Sequence, residues 1–188
     1  MEQLLPDLSG LLYVIVLGAF VKIATALSIF KQGLGLQGMG FSLAIVGFAF
    51  VLSMFVMNSQ VADLEFVGKD LQSAEQQLVP FFEKHADPEL KTKFDTIRTK
   101  MGGADNVKAR NSALSAAFLV SELKEAFNIG LLILLPFVVI DLLVANTLVL
   151  LGITQFSHLI LSLPLKLLLF IGVDGWTLLS DKLLQGYL

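Results

Sequence analysis

Apolar positions fall into four long runs, about Gly10–Phe30, Gly38–Met57, Ile129–Leu151 and Leu159–Leu179, with a polar stretch between the second and the third. Each run is about 20 residues, enough at ~1.5 Å per residue to cross a hydrocarbon layer of roughly 30 Å. In the polar stretch the pattern becomes amphipathic. Val61, Leu64, Val67 and Leu71, then Leu78, Phe81 and Phe82, then Leu90, Phe94 and Ile97 recur at helical spacing. Ala86-Asp87-Pro88-Glu89 predicts a break and a restart, with Asp87 as N-cap, Pro88 at the first helical position and Glu89 in the first turn. Met101-Gly102-Gly103-Ala104-Asp105 is a second break. A further helix starts near Asn106 or Asn111 and runs through Leu114, Phe118, Val120 and Glu122 into the third apolar run without a strong breaker. The expected fold class is all-α. An apolar helical hairpin (1–57) and a second one (129–188) flank a polar helical middle (58–128), with a short connection at 152–158.

Composition sharpens this picture. The 188 residues are 55% hydrophobic and 15% charged, with a mean hydropathy of +0.79; soluble domains carry roughly 25% charged residues. A core of this size cannot hide that much apolar surface, so lipid or a protein partner must cover the rest. Asn58–Asn128 holds 20 of the 29 charged side chains, which leaves the flanks nearly charge-free. A net charge of −3 and a pI near 5.3 offer no basic field for nucleic acid. The absence of cysteine excludes disulfides, a thiol nucleophile and a thiolate metal site. Glu2 and Asp7 stand where a leader would be basic, so the first apolar run is expected to be retained. Lys31 between the first two runs places that turn on the cytoplasmic side and the polar middle outside.

Four ionisable residues interrupt the apolar runs: Lys22, Asp141, Lys166 and Asp174. A central charge costs about 2.5–3.5 kcal/mol of insertion free energy, against roughly 0.3–0.6 returned by each strongly apolar residue. The first run outweighs Lys22. The last, holding Lys166, Asp174 and Pro164, comes out near balance and needs protein neighbours. Lys166 and Asp174 lie about 12 Å apart along a straight helix and roughly 80° around it, so they cannot neutralise each other there. The expectation is that Asp141 and Asp174 pair with Lys22 and Lys166 across helices or subunits.

Several strings suggest chemistry and fail on context. Gly33-Leu34-Gly35-Leu36-Gln37-Gly38 satisfies the dinucleotide fingerprint but sits between two apolar helical runs rather than after a strand. Gly33, Gly35, Gly38 and Gly40 read instead as a turn between antiparallel helices. Glu83, His85, Asp87 and Glu89 form a solvated helix end with no second histidine in reach. No nucleophile elbow or other catalytic constellation is present, so no enzyme activity, cofactor or metal is expected. Phe41, Phe48 and Phe55 recur every seven residues as a packing face, and Ala24/Ser28 and Ala49/Ser53 are pairs small enough for close helix approach.

Longer stretches carry a resemblance. Ser121-Glu122-Leu123-Lys124-Glu125-Ala126-Phe127-Asn128-Ile129-Gly130, Leu135-Pro136-Phe137-Val138-Val139-Ile140-Asp141-Leu142-Leu143-Val144-Ala145-Asn146, and Ser162–Trp176 around Pro164, Lys166 and Asp174 look like the signature of the FliP/SctR family. Those proteins belong to the inner-membrane export apparatus of type III secretion systems. Phe20–Phe30 and Leu52–Met57 resemble its N-terminal motifs, whereas the polar middle agrees only in position and length. The resemblance implies a pore-forming subunit in a pentameric helical ring, with FliQ/SctS-like and FliR/SctT-like partners, conducting unfolded protein substrates. It implies an inner-membrane location with the assembly largely on the periplasmic side, and it fits the virulence branch better than the flagellar one.

One departure from the family stands out. Its members often carry a methionine-rich gasket loop between the last two apolar segments, where this chain has Gly152-Ile153-Thr154-Gln155-Phe156-Ser157. Ile153 and Phe156 are expected to form a stiffer apolar ring, with Thr154 and Gln155 as turn residues. The competing expectation is a small independent ion-coupled transporter using the four intramembrane charges as a relay.

Overall fold

The computed structural model describes residues 16–36, 38–60, 71–102, 106–153 and 155–188. The protein is all-α, as expected, with no strand among the described residues. A π-helical turn, Val16–Phe20, kinked at Gly18, leads into α1 (Val21–Leu34). Then follow α2 (Met39–Gln60), α3 (Leu71–His85), α4 (Pro88–Lys100), α5 (Val107–Leu150), α6 (His158–Gly172) and α7 (Gly175–Leu184), and a closing 3-10 turn, Gln185–Tyr187. The periodic positions Val61, Leu64 and Val67 lie outside the described residues, as do residues 103–105.

The axis of the molecule is α5. It holds 44 residues, a rod of about 66 Å, roughly twice the thickness of a bilayer's hydrocarbon layer. Its start is capped by Asn106, whose side chain accepts from the Ala109 amide at 2.8 Å. No break separates the polar half from the apolar half, so the change in composition near residue 128 falls inside one continuous helix.

Helix α1 lies parallel against α5. Lys22 sits beside Glu122 and Glu125, Ile29 covers Gly130, and Gly33 meets Leu134 and Phe137. Ala26 and Ala126 are fully buried, and small residues on both sides let the two backbones approach. A Cβ at Gly130 would stand 2.6 Å from Ile29 Cδ1. From α1 the chain reverses into α2 through Gly35, whose φ of 76° is left-handed. The Gly35 and Leu36 amides donate to the Gln32 and Lys31 carbonyls, and Lys31 Nζ to Ser42 Oγ at 2.6 Å. Gly35 and Gly38 make the glycine turn expected between antiparallel helices, whereas Gly33 lies inside α1 and Gly40 inside α2.

In the polar middle, α3 packs Phe81 and Phe82 on Phe118 of α5, with ring centroids 5.4 and 4.6 Å apart. Asp87 caps α4 as its sequence predicts, accepting from the Glu89 amide at 2.9 Å. Its other oxygen accepts from Lys124 Nζ at 3.0 Å, and these two donors hold the carboxyl below its ordinary pKa.

The fourth apolar run departs from expectation. It is not one segment, because α6 and α7 meet at 68° across Val173 and Asp174. Among the described residues α2 and α5 are long and apolar enough to cross a membrane, with a third crossing if the bent pair counts as one; the sequence predicts four such runs, the first of which begins outside the described residues. The bend exists because Asp174 is left-handed (φ 49°, ψ 54°) and Gly175 has no side chain. A Cβ on Gly175 would lie 2.1 Å from the Phe170 ring. Phe170 is thereby free to pack on Phe30 (4.9 Å) and Trp176 (5.2 Å), joining α1, α6 and α7 in one aromatic cluster.

Gly130→Ala is expected to destabilise the protein by about 1–3 kcal/mol through overpacking against Ile29. Ile29→Ala in the same chain should restore part of the loss. Thermal melting of the detergent-solubilised variants checks both.

Candidate functional site

Lys166 is 1% exposed, and its ammonium joins three helices. It donates to Asp141 Oδ2 on α5 at 2.7 Å and to the Gly33 carbonyl on α1 at 2.9 Å. Ser162 Oγ, one turn earlier on α6, donates to the other oxygen of Asp141. Gly33 stands in the last turn of α1, where carbonyls run out of helical N–H partners and the helix dipole favours a cation. Lys166 therefore caps α1 as well as pairing with α5. No spacing rule in the sequence reports that second contact.

Lys22 is fully buried near the start of α1, and its partners differ from those expected. Neither Asp141 nor Asp174 reaches it. Its ammonium donates to Glu125 Oε2 at 3.0 Å, lies 3.8 Å from Glu122 Oε2, and sits 3.7 Å from the centroid of the Tyr187 ring. The Tyr187 hydroxyl donates to Glu122. Glu122, Glu125 and Tyr187 are the residues that reading the sequence missed. A signal existed for one of them: Glu122 falls four residues after Phe118 and four before Ala126, on the buried stripe of α5. Tyr187 gave none, because its contact spans 165 positions.

Near this cluster, His85 on α3 lies 4.7 Å from the Phe81 ring and 5.4 Å from that of Tyr187. Burial and the neighbouring Lys84 push its pKa below the ordinary histidine value, so it is neutral at pH 7.

Asp174 is exposed and joins no ion pair among the described residues. Within one chain the expected pairing of Asp174 with Lys22 or Lys166 is not made, which leaves a pairing across subunits. Asp is one of the few side chains tolerated in the left-handed region, and the backbone conformation accounts for its place.

The α5–α6 connection is an apolar tip. Gly152 turns it with a φ of 72°, and the Ile153 amide closes it by donating to the Leu148 carbonyl at 2.9 Å. Ile153 and Phe156 are 38% and 64% exposed, next to the uncovered Leu150 and Leu151. Gln155 is exposed too, and Thr154 lies outside the described residues.

A helical body with uncovered apolar flanks, two membrane-length helices and lysines neutralised inside it defines an α-helical membrane protein. Residues 7–183 match the FliP family, and the chain belongs to it. It is 37% identical to the harpin secretion protein HrpW of Pseudomonas syringae pv. syringae, over 93% of this chain and 92% of that protein. It is 35% identical to the virulence protein YscR of Salmonella typhimurium, over 96% and 92%. Identity to the Yop proteins translocation protein R of Yersinia pestis is 33%, over 90% and 86%.

Lys166→Met should cost about 3–5 kcal/mol, because it leaves Asp141 unpaired. The exchange Asp141→Lys with Lys166→Asp is expected to recover only part of that stability, since a carboxylate at 166 cannot donate to the Gly33 carbonyl; melting curves of the single and double variants decide it. At the bend, Asp174→Asn and Asp174→Gly should melt like the parent, while Asp174→Val loses about 1 kcal/mol from the left-handed backbone. If Asp174→Asn proved as damaging as Asp174→Val, the charge rather than the backbone would be what matters.

Proposed function

We propose that this chain is a pore-forming structural subunit of a type III secretion export gate, conducting unfolded protein substrates across the bacterial inner membrane. The observation that carries the reading is the near full-length likeness to relatives named for secretion and translocation, from harpin secretion protein to Yop translocation protein. The structure supports it in kind. Large apolar side chains on α2 and on the second half of α5 are uncovered, among them Leu43, Phe50, Leu135 and Leu142, and need lipid or further subunits. In this reading copies of the chain form a pentameric ring with FliQ/SctS-like and FliR/SctT-like partners, its body largely on the periplasmic side of the membrane.

The proposed division of labour follows the composition. Hairpins 1–57 and 129–188 build the ring wall, and 58–128 is the polar helical part. Ile153, Thr154, Gln155 and Phe156 form the gasket at 152–158. Lys22, Asp141, Lys166 and Asp174 keep helices and subunits in register. Each buried lysine is enclosed by its own partners, Lys22 by Glu122, Glu125 and Tyr187, Lys166 by Asp141 and Gly33. That closure favours a fixed structural use over the moving charge of an ion-coupled transporter. No step of covalent catalysis is involved, and the driving energy comes from elsewhere.

Changing Ile153 and Phe156 together to Ala is expected to make membranes containing the assembled complex leaky to small ions while leaving its native mass unchanged. An unaltered ion conductance with an intact complex would remove the gasket assignment. A chain that stays monomeric when co-expressed with its small membrane neighbours would remove the ring.

A further inference from the structure

Residues 175–187 form an arm joined to the body by one backbone bend, with Trp176 beside that bend in the aromatic cluster, and bonded at its far end through Tyr187. The pivot is the 68° bend at Val173 and Asp174. Between pivot and tip, the arm rests on Leu179 and Leu183, which with Tyr187 fall at four-residue spacing and are 1%, 0% and 3% exposed. On either side the fit is loose. An open groove of about 570 Å³ runs between the arm and α2, lined by Phe55, Gln60, Leu178 and Leu184. Another of about 190 Å³ lies in the crook, between Leu132 and Pro136 of α5 and Leu178 and Leu179 of the arm.

The tip, by contrast, is densely bonded to four helices. The Tyr187 ring covers Lys22 of α1 and stacks on Phe81 of α3 at 6.1 Å. Its hydroxyl donates to Glu122 of α5, and its carbonyl accepts from Gln60 Nε2 of α2 at 2.8 Å. Lys84 of α3 reaches the same Gln60, donating to Oε1 at 2.8 Å. Gly186 is pressed so close that a Cβ there would lie 2.4 Å from Glu125 Oε1 and 2.5 Å from Lys22 Nζ.

We propose that α7 and the turn after it are a hinged arm, latched by Tyr187 over the Lys22–Glu122 pair, that opens as a unit about Val173–Asp174. A well-bonded tip, a shaft seated on two leucines between open grooves and a pivot already in an uncommon backbone conformation are what such a device requires. Opening would carry Leu179 and Leu183 out of their seat and uncover the Lys22, Glu122 and Glu125 cluster. In this scheme Tyr187 is a positioning residue. The latch stands on contacts within one chain and is independent of what the assembly conducts.

The chain contains no cysteine, so a single introduced thiol reports one place only. Leu183→Cys lies on the buried face of the arm near its tip, and Leu27→Cys, 1% exposed on α1, lies in the core by Trp176 at the pivot end, where opening displaces the arm least. Maleimide labelling of the full-length chain in mild detergent is the measurement. Tyr187→Leu is expected to speed labelling at Leu183→Cys about tenfold, the loss of one ring–ammonium contact and one buried hydrogen bond. Tyr187→Phe keeps the ring over Lys22 and should fall between parent and Tyr187→Leu, while Leu27→Cys stays protected throughout. Amide hydrogen exchange in Tyr187→Leu without any added cysteine provides the second readout: residues 176–187 should exchange faster and residues 22–34 should not. Equal labelling with and without Tyr187, or acceleration at Leu27→Cys and Leu183→Cys together, would overturn the latch.

Discussion

Everything else in this fold hangs on the seam between α1 and α5. Two helices run side by side in the same direction, close enough that Gly33 and Gly130 have no room for a side chain. A buried lysine is neutralised at each end of the seam. The middle is held by shape, with Ile29 over Gly130, and the ends by charge. Charge is the more demanding part. Removing one member of a buried pair leaves an ion without compensation, whereas trimming one contact of the apolar middle costs less. The seam thus favours one register, because sliding α1 by a turn of about 5.4 Å would part Lys22 from its carboxylates and take the Gly33 carbonyl from Lys166.

The remaining elements attach to that seam in order. Helix α6 joins through Lys166, which serves α1 and α5 together, and the aromatic cluster of Phe30, Phe137, Phe170 and Trp176 fills the space beside it. Helices α3 and α4 join at the opposite end through Phe118 and the capped turn at Asp87. The polar and apolar parts are therefore one body, with α5 passing through both.

Much of this was legible in the sequence, for identifiable reasons. Helical content, the polar middle, the Asp87 cap and the glycine turn rest on local periodicity and backbone chemistry, which a linear reading captures. The four intramembrane charges were conspicuous because each is costly in an apolar run. Lys166 meets Asp141, one of the pairings expected, but the partners of Lys22 were not legible. Lys22 finds its carboxylates on a part of α5 that reads as polar, where two more glutamates attract no notice. The bend at Asp174 was hidden for a different reason. An aspartate in an apolar run invites an electrostatic account, and only the dihedral angles show a backbone one. Tyr187 illustrates the general limit, since a contact made at long range leaves no periodic trace.

The placement of Lys22 also sets a timetable. Its nearest carboxylates lie about 100 residues further along the chain, and the aromatic ring that covers it lies 165 further. At roughly 5–20 residues per second of synthesis, the ammonium waits on the order of 5–20 seconds before Glu122 and Glu125 exist. During that interval the first hydrophobic stretch cannot settle as it does in the finished protein. Biogenesis must hold it where a solitary cation is tolerated, at the headgroup layer or against another polypeptide, until the latter half of the chain arrives.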